Sequence, residues 1–165
     1  MQKDHVDRVL GQWEHERPEL DALAMSIFGR IWRLNAIGIK AVEKVLLEFG
    51  LSQPEFDVMA TLRRSGTPYV LSPTALYTSL MLSSGAMTNR LDKLESRGLI
   101  QRIPSPEDRR SMLVQLSAQG LQLIDDALVA HVGNEQQLLR ALNSSQQEAL
   151  ADLLRTLLLD IDQQE

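Results

Sequence analysis

The chain has 165 residues, of which 44% are hydrophobic, with no cysteine and a formal net charge of −5 at pH 7. This length fits one compact domain, or a subunit whose exposed apolar helices are buried in a dimer, and we favour the dimer. The lack of cysteine excludes disulfides, thiol redox sensing and cysteine-zinc sites. The opening residues MQKDHVDRVLGQW contain acidic groups and no continuous apolar core, which predicts a cytoplasmic protein with no secretory signal and no membrane span.

The N-terminal third predicts two helices. The first is short, ends near Pro18 and carries an apolar stripe made of Val6, Val9, Leu10 and Trp13. Because so short a helix is marginal alone, it must pack on another element. The second covers residues 20–49 and ends before Gly50, and Gly29 and Gly38 within it indicate a close helix crossing.

A helix-turn-helix pattern follows. Ser52 and Glu55 have the spacing of a capping box, which predicts the start of a third helix. Residues 70–71 predict a short strand that joins a later sheet, and Ser72-Pro73 predicts the start of a fourth helix that ends near Leu80. Two short helices joined by a tight connection are typical of DNA-binding helix-turn-helix units.

The segment 82–116 begins with the second helix of that unit. Its buried stripe is Met87, Leu91 and Leu94, and Gly98 ends it. The opposite face carries small, amide or charged residues: Gly85, Ala86, Asn89, Asp92, Lys93 and Ser96. Small residues let a backbone approach a duplex, asparagine can pair with adenine, and Ser83 or Ser84 can cap the helix or donate to phosphate. An ordinary solvated helix face is the alternative interpretation.

A β-hairpin wing completes the segment. Residues 100–103 and 112–116 predict two strands, and the polar loop 104–110 is too long for a two-residue turn. Arg109 and Arg110 at its tip are candidates for phosphate or minor-groove contacts. The segment 82–116 holds six basic and four acidic residues, a local excess of +2 on an acidic chain. This weak excess predicts DNA binding that needs both subunits and falls steeply with salt.

Two further helices are predicted after the wing. Ser117 caps the first, whose apolar positions are Leu121, Ile124, Leu128, Val132 and Leu139. Ser144 and Gln147 have capping-box spacing at the start of the last helix. The apolar face of that helix is too broad for a solvent-exposed terminus, and it consists of Leu150, Leu153, Leu154, Leu157, Leu158 and Ile161. A second subunit is therefore expected to cover it.

Catalytic chemistry is not indicated. The sequence has no P-loop, no G-x-S-x-G elbow, no HExxH and no glycine-rich nucleotide motif after a strand. The histidines His5, His15 and His131 are too scattered for a metal site, and each is predicted to be a surface or interface residue. His131 falls on neither a clear core stripe nor a ligand motif. We expect no catalytic residue, no metal and no cofactor.

The run SSGAMTNRLDKLESRGLI, followed by R-x-P-x-P-E-D-R-R-S and V-Q-L-S-A-Q-G, resembles the recognition helix and wing of the MarR family of bacterial transcriptional regulators. This resemblance implies a mainly α-helical winged helix-turn-helix fold with a DNA-binding lobe at about 52–116 and dimerisation helices at 1–49 and 117–165. It implies a homodimer on double-stranded, pseudo-palindromic DNA, usually a repressor released by a small molecule. The candidate DNA contacts are Ser83, Ser84, Gly85, Ala86, Thr88, Asn89, Lys93, Arg109 and Arg110.

Within that family, an N-terminal helix bearing Trp, the segment F-D-V-x-x-T-L and the run S-G-x-M-T-N-R resemble the urate-responsive branch. The resemblance implies that Trp13, Asp57 and Arg90 bind an anionic ligand, and Arg17 can reach the same site. A planar heterocycle stacks on an aromatic ring while a guanidinium pairs with its charge, so urate, phenolic acids and other planar anions all fit.

Simpler interpretations exist for each ligand candidate. Trp13 can be a core aromatic, Asp57 can favour the positive end of its helix, and Arg90 can contact phosphate. On the helical projection, however, Arg90 lies beside the apolar stripe and not with Asn89, which favours a cleft next to the dimerisation helices.

The sequence thus predicts a ligand-responsive DNA-binding regulator. The alternative is a winged-helix module that binds another protein and does not bind DNA directly, which the acidic balance favours. An enzyme ranks third.

Overall fold

The structure is a computed structural model that describes residues 2–80, 84–108 and 111–164. In these ranges the chain is mainly α-helical with a small antiparallel sheet, as predicted. Its elements are α1 His5–Glu16, α2 Leu23–Glu48, α3 Gln53–Arg64, β1 Val70–Leu71, α4 Pro73–Ser79, α5 Ser84–Ser96, β2 Ile100–Pro104, β3 Met112–Leu116, α6 Ala118–Leu138 and α7 Ser144–Asp162. They form two compact units, residues 1–44 and 45–165.

In the first unit, α1 packs on α2 through an ion-pair cluster and one close crossing. Asp4 caps α1 in a capping box with Asp7. Arg30 of α2 reaches both carboxylates, with nitrogen-oxygen distances of 3.1 Å to Asp4 and 2.7 Å to Asp7. A Cβ on Gly29 would lie 3.3 Å from Cγ1 of the buried Val6, which confirms the predicted close crossing at this glycine.

Gly38 differs from Gly29. No atom of the described chain lies within 4 Å of the position that a Cβ on Gly38 would take. Within the described chain the predicted close crossing is therefore at Gly29 and not at Gly38.

The second unit has its core where α3, α4, α5 and the sheet meet. The capping box of Ser52 and Glu55 opens α3, and the Ser72 hydroxyl accepts from the Ala75 backbone N–H at the start of α4. Both starts are as predicted. The largest fully buried side chains are Leu46, Met59, Leu62, Leu76, Met87, Leu94, Ile124, Val58 and Val114.

The sheet has the order β1-β3-β2, with both pairs antiparallel. In the hairpin, Ile100 pairs with Leu116 and Pro104 with Met112. Val70 pairs with Gln115, which confirms that the short strand joins the wing sheet. The base of the wing loop is closed by a 2.8 Å hydrogen bond from the Ser105 N–H to the Ser111 carbonyl.

Helix α6 confirms one prediction and corrects another. The Ser117 hydroxyl caps it by accepting from the Gly120 N–H at 2.9 Å. Its buried face, however, is Gly120, Ile124 and Ala127, whereas Val132 is 46% exposed. The predicted stripe is rotated because leucine and valine residues also occupy the opposite face of this helix, so the apolar pattern does not mark the core side.

The start of α7 also differs from the prediction. Asn143 caps the helix, and its capping-box partner is Gln146. The pair predicted from spacing, Ser144 and Gln147, lies one residue later. An asparagine oxygen serves as an N-cap at least as well as serine, so the earlier pair takes the role.

Two helices carry large apolar side chains that the single chain does not cover. On α2 these include Leu23, Ile27, Phe28, Trp32, Leu34 and Ile37, and on α7 they include Leu150, Leu153, Leu154, Leu157, Leu158 and Ile161. No described residue of α7 is buried. Despite this apolar character, none of the helices in the described ranges has the length and hydropathy needed to cross a membrane.

Candidate DNA interface and sensor site

Helix α5 separates an apolar face from a polar one. Met87, Leu91 and Leu94 are at most 2% exposed, as their spacing predicts. Thr88, Asn89 and Lys93 are exposed, and Gly98 ends the helix region with a φ of 68°, in the left-handed region that favours glycine. The polar face is therefore available to a groove.

The other predicted DNA contacts are described less fully. Ser84, Gly85 and Ala86 form the first turn of α5, and their backbone is helical. Ser83, Arg109 and Arg110 lie outside the described residues. Their contacts with DNA stay predictions.

Arg102, which the sequence did not indicate as a site residue, joins the wing to α5. Arg102 of β2 pairs with Asp92 at 2.5 Å and also with Glu95, both on α5. The hydrogen bond to Asp92, with the charge of Glu95, raises the pKa of the Arg102 guanidinium further above its usual range. This pairing neutralises two acidic groups on the helix that would otherwise repel phosphate, and it fixes the wing against α5.

A second polar contact joins α5 to α3. Arg97 lies 3.5 Å from Glu55. Burial alone would raise the pKa of Glu55, but hydrogen bonds from the Ser52 backbone and hydroxyl, with the charges of Arg97 and Lys93, lower it overall. The capping carboxylate of α3 is thus also an anchor for the C-terminal half of α5.

Asp57 of α3 and Arg90 of α5 lie within electrostatic reach of each other, without an ion pair between them among the described residues. Burial raises the pKa of Asp57, and the charges of Arg90, His131 and Arg64 oppose that shift without cancelling it. Both Asp57 and Arg90 are partly buried. Within the described ranges the Asp57 carboxylate has no hydrogen-bond partner, so these cations act on it across space. The predicted inward turn of Arg90 agrees with this arrangement.

His131 of α6 lies against Phe56, the residue before Asp57, and the sequence predicts it to be a surface or interface residue. Its ring lies 4.9 Å from that of Phe56, Nε2 lies 3.3 Å from the Glu135 carboxylate, and the side chain is only 19% exposed. His131 is partly buried because it follows Ile124 by seven residues and so continues the buried face of α6, while a place at a subunit interface stays a prediction. That spacing is the signal that could have found it.

Three buried polar atoms in this region have no hydrogen-bond partner in the described chain: Thr61 Oγ1, His131 Nδ1 and Asn134 Nδ2. Thr61 is 3% exposed and lies one helical turn after Asp57 on α3. Because native proteins pair almost all buried polar groups, these three atoms need partners that the described chain does not supply.

The remaining sensor candidates belong to the first unit. Trp13 is 41% exposed and therefore is not a core aromatic of the described chain. Arg17 pairs with Glu19, and both side chains are more than half exposed. Asp57 and Arg90 belong to the second unit.

The first unit also contains a cavity of about 690 Å³ between α1 and α2. Its lining is almost entirely apolar and includes Val6, Val9, Leu10, Met25, Phe28 and Trp32. Trp13 does not line it. No group of three or more histidine, aspartate or glutamate side chains suited to a metal ion occurs in the part of the chain that is described.

Comparison with known proteins decides the family. The MarR family profile matches residues 51–112. The HTH-type transcriptional regulator PecS of Dickeya dadantii is 38% identical over 149 residues, which cover 90% of this chain and 90% of that protein. The chain belongs to the MarR family. The transcriptional repressor MprA of Escherichia coli is 31% identical over 122 residues, covering 74% of this chain and 69% of that protein.

Solved MarR structures share the fold. A mutant MarR from E. coli in complex with operator DNA is 24% identical, with a TM-score of 0.69 over 88% of this chain and 97% of that chain. As a MarR-family member the chain is a DNA-binding transcriptional regulator and not an enzyme. The predicted module that binds only protein is therefore not supported.

Membership of the MarR family gives the helices their roles. In a winged helix-turn-helix unit, α4 and α5 form the helix-turn-helix and β2 and β3 form the wing. The ion pairs of Arg102 hold these two parts in one orientation. Contacts of the polar face of α5 with base edges stay predictions.

Proposed function

We propose that this MarR-family protein is a homodimeric repressor that leaves a pseudo-palindromic operator when a small planar aromatic anion, such as urate, binds. The observation that carries the proposal is the division of α5 into two polar sides. Asn89 and Lys93 are exposed, while Arg90 is partly buried and its charge acts on the partly buried Asp57. Two similar proteins support a DNA-binding repressor, because MprA is named a transcriptional repressor and a MarR structure contains operator DNA.

The DNA contacts have different tasks in this proposal. The side chain of Asn89 reads a base edge, and Lys93 contacts phosphate. The start of α5 approaches the DNA backbone closely. The residues assigned to this contact are Ser83, Ser84, Gly85, Ala86 and Thr88. Arg109 and Arg110 contact phosphate or the minor groove at the wing.

A DNA-binding titration with the duplex that flanks the protein's own gene tests this division. We predict that Asn89→Ala weakens binding by about 1–3 kcal/mol and relaxes sequence preference at one position. Lys93→Ala should weaken binding to all sequences equally and lower the slope of log affinity against log salt by about one. Gln122→Ala, an exposed amide on α6, is the matched control. Equal affinity for operator and random duplex would contradict the function itself.

For the sensor, we propose that Arg90 pairs with the negative charge of the ligand while Asp57 binds its polar edge. The family resemblance alone adds Trp13, as a ring for stacking, and Arg17, as a second positive charge, to the candidate ligand residues. The Asp57 carboxylate has no hydrogen-bond partner in the described chain, which supports its role as a hydrogen-bond acceptor for the ligand. Binding beside Arg90 shifts α5 by a few ångströms, which changes the spacing of the two recognition helices in the dimer.

A thermal-shift screen of small aromatic anions tests the sensor. We predict that urate or a related anion raises Tm, since a ligand that binds only the folded state stabilises it, by about 2.7 kcal/mol at a concentration of 100 Kd. Arg90→Ala should abolish the shift and the release from DNA. Arg140→Ala, an exposed arginine at the end of α6, is the control and should respond as the wild type does. A full response of Arg90→Ala would remove Arg90 from the site.

A further inference from the structure

The packing of α3 against α6 leaves three buried polar atoms unpaired. They are Thr61 Oγ1, His131 Nδ1 and Asn134 Nδ2, and none has a partner in the described chain. Thr61 is almost fully buried, with only 3% of its surface exposed. Because leaving a buried donor or acceptor unpaired is unfavourable, three such atoms along one helix pair require an explanation.

Two contacts give the register of this helix pair. Arg63 of α3 pairs with Asp125 of α6 at 2.6 Å, and the ring of Phe56 on α3 lies 4.9 Å from that of His131 on α6. Since the steps from 56 to 63 and from 131 to 125 run in opposite directions, α3 and α6 are antiparallel. At about 1.5 Å per residue, Thr61 and Asn134 then lie about 7.5 Å and 4.5 Å along the helix axes, on either side of the level of Phe56 and His131. The unpaired atoms therefore flank the proposed sensor.

The contacts of the His131 ring determine which nitrogen remains for a ligand. The ring packs on Phe56, with centroids 4.9 Å apart, and Nε2 faces the Glu135 carboxylate at 3.3 Å. In the neutral ring that carries its proton on Nε2, the nitrogen nearer Glu135, the other ring nitrogen has no proton. Nδ1 is then a hydrogen-bond acceptor, buried and unpaired.

We propose that His131 is a specificity-determining residue of the sensor, whose Nδ1 accepts a hydrogen bond from a ring N–H of the effector. This inference rests on the proposed sensor function and deepens it. Arg90 selects for negative charge, which many planar anions satisfy, whereas His131 selects for a heterocycle that also carries an N–H donor. The hydroxyl of Thr61 can serve either a donor or an acceptor on the same edge. Simple aromatic carboxylates lack the required donor.

The test compares two probes, urate, which has ring N–H groups, and benzoate, which has none. His131→Phe keeps an aromatic ring against Phe56 and removes Nδ1. Calorimetric titration of wild type and variant should show a loss of about 10-fold in urate affinity and no change for benzoate. Equal loss for both probes, or urate affinity as in the wild type, would overturn the assignment of His131.

A measurement on the wild type covers the case in which His131→Phe fails to fold. The chain has three histidines, so the side-chain ¹⁵N spectrum is simple, and His5 and His15 serve as internal controls. The Nδ1 resonance of His131 should move on addition of urate and stay in place with benzoate. Urate binding without that movement overturns the inference and leaves the sensor intact. Failure of the wild type to bind any aromatic anion overturns the sensor and this inference together.

Discussion

Partial burial disfavours the charged form of the Asp57 carboxylate. Burial raises the pKa of Asp57 above its ordinary value of 3.8, and the charges of Arg90, His131 and Arg64 offset only part of that shift. The folded state therefore binds the proton of Asp57 more tightly than the unfolded state. Its contribution to stability is present in full below pH 3.8 and is lost as the pH rises through the higher folded-state pKa. At neutral pH the ionised group destabilises the fold.

We predict that Asp57→Asn raises Tm by a few degrees at neutral pH, because the amide removes a poorly solvated charge. The gain should shrink as the pH falls below 3.8, where wild-type Asp57 becomes protonated in both states. Asp126→Asn, an exposed carboxylate on α6, is the control and should change Tm equally little at both pH values. If Asp57→Asn leaves Tm unchanged or lowers it at neutral pH, burial is not the dominant influence on this carboxylate.

The sensor residues differ in how far the sequence could reveal them. The flank position of Arg90 follows from helical projection alone, because Met87, Leu91 and Leu94 define the buried side of α5. The spacing of His131 from Ile124 likewise shows that it faces inward, but neither it nor Thr61 could be recognised as a site residue in that way. A buried polar residue has no pattern of its own, and its meaning here depends on α3 and α6 packing together, which no single helix predicts.

At the scale of elements, α6 begins against the end of the loop before β2. A Cβ on Gly120 would lie 1.8 Å from the Leu99 carbonyl oxygen and 2.8 Å from its carbonyl carbon. Both are backbone atoms, so a side chain there forces the helix and the strand apart. The Ser117 N–H also donates to the Leu99 carbonyl at 3.1 Å, which ties α6 to the same point.

We predict that Gly120→Ala lowers the free energy of unfolding by about 1–3 kcal/mol or more, since the added methyl group overpacks a rigid contact. Gly133→Ala in the same helix is a matched control, because no atom in the described ranges lies within 4 Å of its Cβ position. That control should stabilise the helix by up to about 1 kcal/mol, as expected for alanine in a helix interior. Chemical denaturation of both variants measures the difference. Similar effects from the two substitutions would show that the helix shifts to accommodate the methyl group.

Most elements were predictable because their local signals are strong. The capping box of Ser52, the cap and proline before α4, and Gly98 after α5 each specify a boundary through local hydrogen bonds or backbone conformation. The buried face of α6 was not predictable. Ala127 and His131 face inward while Val132 is exposed, so the more apolar side of the helix is not the side that packs on its own chain.

At the scale of the whole molecule, the apolar residues of this chain do not all belong to its own core. Helix α2 and helix α7 each carry exposed apolar side chains, so an apolar stripe in the sequence does not by itself mark a side that packs within the chain. Isolated soluble chains rarely leave so large an apolar area in contact with water. A second copy of the chain is the partner that the proposed symmetric operator requires, because two-fold DNA sites are matched by two-fold proteins.

We predict that the protein elutes with the mass of a dimer in light scattering and that its Tm rises with protein concentration. Replacing Leu154 and Leu157 of α7 with Glu should convert it to a monomer. Two buried leucines contribute about 3–6 kcal/mol, so dimer affinity should fall roughly 10²- to 10⁴-fold. Thr156→Glu adds a charge on the opposite side of the same helix and should leave the dimer intact. If the leucine variant remains dimeric, α7 does not form the subunit interface. If it becomes monomeric and keeps full operator affinity, recognition does not need two copies.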